Sequence, residues 1–193
     1  TIDSADVVNM TRLTLPFGYE VKNIYASSNR FWIGCISIFN EPAKVIEWDG
    51  FSTTYNNEYN LVGSDPLCGF LVGNIPYFIT EFGYIHRYTG GGFEEAQRFP
   101  IANDRHTFST SDITPYGAAV DRGLVYILVN ANELGNTQTE GRRMYSGVWV
   151  FNTKNLNLYH KYGIGATKVS GTDPDFGQSP LAGVGGLKLS FLS

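Results

Sequence analysis

Charge is scarce in this 193-residue chain: Asp, Glu, Lys and Arg make up only 17% of it, and the formal net charge is −4. A weakly acidic chain offers no basic field to a phosphate backbone, which excludes nucleic-acid binding as its main task. Cysteine is limited to Cys35 and Cys68, which form neither a CxxC pair nor a metal-binding spacing. They read as two free buried thiols, with a disulfide between neighbouring repeats as the alternative. The three histidines, His86, His106 and His160, show no HxH or HExxH pattern and read as surface or rim side chains, so no metal site is expected. No apolar run approaches the ~18 residues of a membrane helix, no segment has the form of a signal peptide, and no membrane association is expected. Helix is missing as well: Glu94 to Arg98 and Thr139 to Met144 have helical composition but are too short for more than one turn.

Catalytic patterns are equally absent. There is no G-x-S-x-G elbow and no sialidase-type S-x-D-x-G-x-T-W box. The acids Glu20, Glu47, Asp49, Asp65, Glu81, Asp104, Asp112, Asp121, Glu133, Glu140, Asp173 and Asp175 fall mostly in turns, where Asp is favoured for its local backbone hydrogen bonds. Asp49 and Asp121 in particular read as turn residues rather than as the facing carboxylates of a glycosidase. Asp173-Pro-Asp175 and Asp49-Gly50 supply too few oxygen ligands for calcium. Glycines at 90–92, 183 and 185–186 do not lead from a strand into a helix, so no phosphate loop is expected. Neither catalytic residues nor a cofactor are assigned. Asn9-Met-Thr11 fits a glycosylation acceptor, a triplet that is common by chance.

What the chain has in quantity is aromatic and glycine residues: 13 Phe, 12 Tyr, 3 Trp and 22 Gly. Aromatics suit pleated, half-buried surfaces, and the composition predicts an all-β fold. A phrase also recurs. An apolar run enters a tight polar turn and an aromatic or β-branched run leaves it, at Ile24 to Ile33, Gly69 to Ile79 and Ala118 to Ile127. A third apolar run follows each copy, at Val45 to Gly50, Tyr84 to Gly90 and Val148 to Asn152. Hairpin plus third strand, repeated, is the pattern of a β-propeller blade.

The expected blades span about 19–61, 66–100 and 115–162. A fourth start at 180–193 stops after its first hairpin. Residues 1–12 form an N-terminal strand or linker, and 13–193 the partial propeller. In the first blade the expected strands are Val21 to Ala26, Arg30 to Ile38, Ala43 to Trp48 and, after an Asp49-Gly50 hairpin turn, Phe51 to Tyr55. Leu13 to Gly18 reads as a strand end and turn. Trp32, Trp48, Tyr77, Phe78, Tyr126, Trp149 and Phe151 read mostly as packing between blades, with carbohydrate stacking as the alternative. The polar stretch Asn130 to Ser146 reads as an interaction loop or a disordered one. Known propellers close with ~4–8 blades, so the sequence, which starts at Thr1 without Met, is expected to belong to a longer polypeptide or to assemble in several copies.

The residues Phe31-Trp-Ile-Gly34, Glu47-Trp-Asp-Gly-Phe-Ser52, Pro115-Tyr-Gly117 and Ser146-Gly-Val-Trp-Val-Phe151 resemble a class of β-propeller structural proteins of tailed bacteriophages. The resemblance covers roughly residues 13–162. It implies a structural or interaction module of the virion, in the tail, adaptor or host-contact apparatus, whose partners are other virion proteins or copies of itself. It carries over no catalytic residue. A glycan- or peptide-binding propeller is the alternative function, followed by a propeller glycoside hydrolase.

Overall fold

The computed structural model describes residues 13–61, 65–100, 113, 117–129 and 147–163. Among these there is no helix, and the strands form three separate four-stranded antiparallel sheets. The first sheet comprises β1 (Tyr19–Ser27), β2 (Arg30–Ser37), β3 (Lys44–Trp48) and β4 (Asn57–Asn60). The second comprises β5 (Pro66–Val72), β6 (Ile75–Thr80), β7 (Tyr84–Tyr88) and β8 (Phe93–Arg98). The third comprises β9 (Ala118–Asp121), β10 (Leu124–Val129), β11 (Gly147–Asn152) and β12 (Leu158–Gly163). Each sheet is a simple meander whose spatial order follows the chain. Glu94 to Arg98 lies within β8, so packing overrides its helical composition.

Tight turns set the registers. At the third repeat Arg122 and Gly123 have φ values of 48° and 82°, and Leu124 pairs with Asp121, as a two-residue type I′ hairpin requires. The expected Asp49-Gly50 hairpin forms differently. Only Gly50 has positive φ there, at 84°, so the I′ geometry is unavailable. Instead the Asp49 carboxylate accepts the Phe51 and Ser52 N–H groups at 2.8 Å each and the Ser52 hydroxyl at 2.7 Å. The Trp48 indole N–H then donates to the Ser52 carbonyl at 2.8 Å. This turn carries Phe51 to Tyr55 away from the sheet, and the fourth strand is Asn57–Asn60 rather than Phe51 to Tyr55. Leu13 to Pro16 is likewise not a strand: Leu13 and Leu15 pack on the outer face of the first sheet.

The sheets stack face to face. Trp32, Val45 and Tyr59 of the first meet Phe78, Tyr88 and Phe93 of the second. Phe70, Tyr77, Ile79 and Ile85 on the other face of the second meet Val125, Ile127, Trp149 and Phe151 of the third. Covered on both sides, β6 is buried from Pro76 to Thr80. The first strands of the three sheets lie side by side, β1 against β5 and β5 against β9. Cys35 and Cys68 form no disulfide and are buried in different cores, as the two-thiol reading expects, and burial pushes each thiol up to about 12.

At the β1–β5 contact, the Gly69 N–H donates to the Tyr25 hydroxyl at 2.6 Å, and the Asn23 amide donates to the Pro66 carbonyl at 3.0 Å. A Cβ on Gly69 would sit 2.4 Å from the Tyr25 ring. Gly69→Ala should therefore destabilise the protein by about 1–3 kcal/mol, read from the urea midpoint. An unchanged midpoint would show that the ring can move away without loss. The Asp49 turn has a pH signature. Its hydrogen bonds, led by those from Ser52, hold the carboxyl at about 2, below its ordinary 3.8. The stability it confers is complete above 3.8 and is lost as pH falls from there through 2. Asp49→Asn should flatten the fall of the urea midpoint in that window, and an unaltered slope would count against the turn's role.

Candidate functional site

The residues with chemistry converge on the seam between the first and second sheets. Register places them: Trp32 of β2 pairs with Glu47 of β3, and Glu47 pairs with Asn57 of β4, so all three share the face turned toward the second sheet. Glu47 is only 1% exposed. Its carboxylate is gripped by the Arg30 guanidinium. It also accepts the Asn57 amide and the Tyr59 hydroxyl, each at 2.9 Å. The Tyr59 hydroxyl lies 3.1 Å from that of Tyr88 across the seam, and Tyr88 donates to the Gly90 carbonyl at 2.8 Å. Burial first, then Tyr88 and Glu47, drives the Tyr59 pKa upward, so its phenol stays a neutral donor. Aromatic rings wall the network, with Trp32 centred 4.9 Å from Tyr88 and 6.2 Å from Phe93.

The same seam holds unpaired polar atoms. Asn23 Oδ1, Trp32 Nε1 and both ring nitrogens of His86 are buried and have no hydrogen-bond partner. His86 pairs with Phe78 on β6, which puts it on the face turned to the first sheet. Its 4% exposure overturns the surface reading made from sequence. His160 lies on β12 with its ring 5.3 Å from Trp149, in a different sheet from His86, and His106 is outside the described residues. His86 and His160 are therefore not brought together. No group of three or more His, Cys, Asp or Glu that could hold a metal occurs among the described residues.

The acids separate into distinct environments. Asp49 and Asp121 are turn residues, as read from sequence. Asp65 and Glu81 meet at the β5 and β6–β7 end of the second sheet, where the Glu81 N–H donates to the Asp65 carbonyl at 3.0 Å. Burial raises both carboxyls, and the Asp65 charge raises Glu81 further. Sequence reading placed both acids but not their proximity. Asp104, Asp112, Glu133, Glu140, Asp173, Asp175 and the 130–146 stretch lie outside the described residues. Of the aromatics, Trp32 and Phe78 fill the first seam, and Tyr77, Trp149 and Phe151 fill the second, as packing between repeats requires. Trp48 instead packs with Phe31 on the outer side of the first sheet, and Tyr126 is half-buried on the outer face of the third.

Chemically, the Glu47 network is closed. A carboxylate that is 1% exposed and bound by three side chains does not meet a substrate; it fixes the seam's geometry. Arg30 and Asn57 are exposed and turn to water when it is removed, so Glu47→Ala mainly leaves the half-buried Tyr59 hydroxyl without its acceptor and should cost about 1–3 kcal/mol. Tyr59→Phe, which removes one charge-assisted bond, should cost about 1.5–3 kcal/mol. Urea unfolding of both variants checks this, and losses below about 0.5 kcal/mol would show the network contributes little.

The chain matches no protein-family model and no curated protein. Among solved structures it is similar to the crystal structure of a computationally designed protein, Ika8, with a TM-score of 0.47 and 12% identity. The match covers 72% of this chain and 35% of that one, so this chain spans about a third of the length of that structure.

Proposed function

We propose that the three sheets are consecutive blades of a β-propeller and that the protein is a structural or interaction module of a larger assembly. One repeated position carries this reading. The third residue of each second strand is aromatic: Trp32, Tyr77 and Tyr126. Trp32 is 3% exposed beneath the second sheet and Tyr77 2% exposed beneath the third. Tyr126 stands at the same position on the last described sheet and is half-buried, with the Lys161 ammonium 5.3 Å from its ring centre. A further sheet set against that face would complete the series. The apolar surface supports the same view. The terminal sheets and their flanking turns carry Phe17, Val21, Ile24, Phe39, Phe51, Tyr159 and Tyr162 exposed, whereas the described part of the middle sheet exposes only Ile75. Large exposed apolar side chains gathered at two ends mark sites of association.

The resemblance to tailed-phage propeller proteins supplies the setting: a virion component whose neighbours are other virion proteins or copies of itself. Its action would be passive, a rigid stack of blades presenting turns to adjoining subunits. A glycoside hydrolase is a weaker reading, because the most enclosed of the described acids, Glu47, is committed to the seam.

In material from its native source, the polypeptide carrying this sequence should sediment with particles. Tyr126→Lys should reduce its incorporation severalfold while leaving its circular dichroism unchanged. Recovery only as a soluble monomer, or equal incorporation of the variant, would sink the assembly reading.

A further inference from the structure

We propose that the seam between the first and second sheets is an acid-sensitive joint, triggered by His86 and opening while the seam between the second and third sheets stays closed. The basis is where the unpaired groups lie. Among the described residues, all the buried side-chain polar atoms without a partner, on Asn23, Trp32 and His86, belong to this one seam. The facing core of the second and third sheets is built from Phe70, Tyr77, Ile79, Ile85, Val125, Ile127, Trp149 and Phe151. A neutral imidazole survives in such a place, but a protonated one carries a charge and two N–H donors with nothing to receive them.

No neighbour hydrogen-bonds the ring. On the same face of its own strand His86 is flanked by Tyr84, whose ring is 5.9 Å away, and by Tyr88. Phe78 stands beside it on β6, and on β8 Glu95 pairs with it but is exposed. Across the seam, the titratable or charged side chains on the facing surface of the first sheet are the exposed Glu20 and Arg30 and the more enclosed Tyr25, Glu47 and Tyr59. Glu47 is already held by Arg30, Asn57 and Tyr59. Burial therefore acts alone on His86 and lowers its proton affinity below the ordinary value of 6.5. The sign follows: the open seam binds the proton more tightly than the closed one. The closed state is at full strength above about pH 6.5 and weakens as pH falls, by up to about tenfold in its equilibrium constant per pH unit. This does not depend on the assembly proposed above.

The test compares the full chain with His86→Phe and His86→Gln. Hydrogen exchange by NMR, corrected for intrinsic rates, should show protection of the β2 and β7 amides falling up to about tenfold per unit between pH 6.5 and 5, with β10 and β11 unaffected. In the variants that fall should vanish. Equal loss at β10 and β11, or the same loss in the variants, would overturn the proposal. Should neither variant fold, histidine-ring NMR on the wild type decides, with His106→Gln and His160→Gln identifying the remaining signal. A midpoint below 6 supports the joint, and one at or above 6.5 refutes it.

Discussion

Among the described residues neighbouring sheets share no ladder hydrogen bonds, yet their first strands lie against one another, so the facing edges need partners from outside the ladder. At β1 and β5 this is done by two residues of the same strand. Asn23 meets the Pro66 carbonyl, and Tyr25 accepts the Gly69 N–H while its ring lies where a Cβ would otherwise be. The approach works only because residue 69 is glycine. It sets the spacing of the first two sheets, and that spacing lets Trp32, Tyr88 and Phe93 close over Glu47.

The repeats preserve shape and vary polarity. Opposite the repeated aromatic, the third strand carries Glu47 in the first sheet, Arg87 in the second and Val150 in the third. The acid anchors a network that crosses the seam. The base stands beside its cross-strand neighbour Tyr77 and opposes the rise that burial imposes on that phenol. The aliphatic side chain is fully buried. One geometry therefore accommodates three chemistries, which explains why a recurrent pattern can announce architecture and say little about activity.

Much of the strand order was legible because short-range signals suffice for hairpins. Gly73-Asn74 and Arg122-Gly123 put positive φ where the turn needs it, and aromatic or β-branched runs flank them. The fourth strand of the first sheet was misplaced because Asp49-Gly50 has the letters of a hairpin turn, while the carboxylate bonds forward to Ser52 and diverts the chain. The buried polar residues were illegible for a different reason. In Val45-Ile46-Glu47-Trp48 the alternation puts Glu47 on the face opposite Ile46, which in an isolated sheet would be the wet one. Only the second sheet, laid over that face, makes it an interior. His86 follows the same logic, since a lone histidine in a strand carries no sign of what will cover it.

The two cysteines give this arrangement a built-in readout. Cys35 lies in the core beneath the outer face of the first sheet, and Cys68 lies in the core shared by the second and third sheets. With thiols held at about 12, neither is a nucleophile while enclosed. Each becomes reactive only when its own layer parts. A single alkylating reagent thus distinguishes two mechanical events within one molecule: shedding of the Leu13 and Leu15 cover from Cys35, and separation of the inner layers around Cys68.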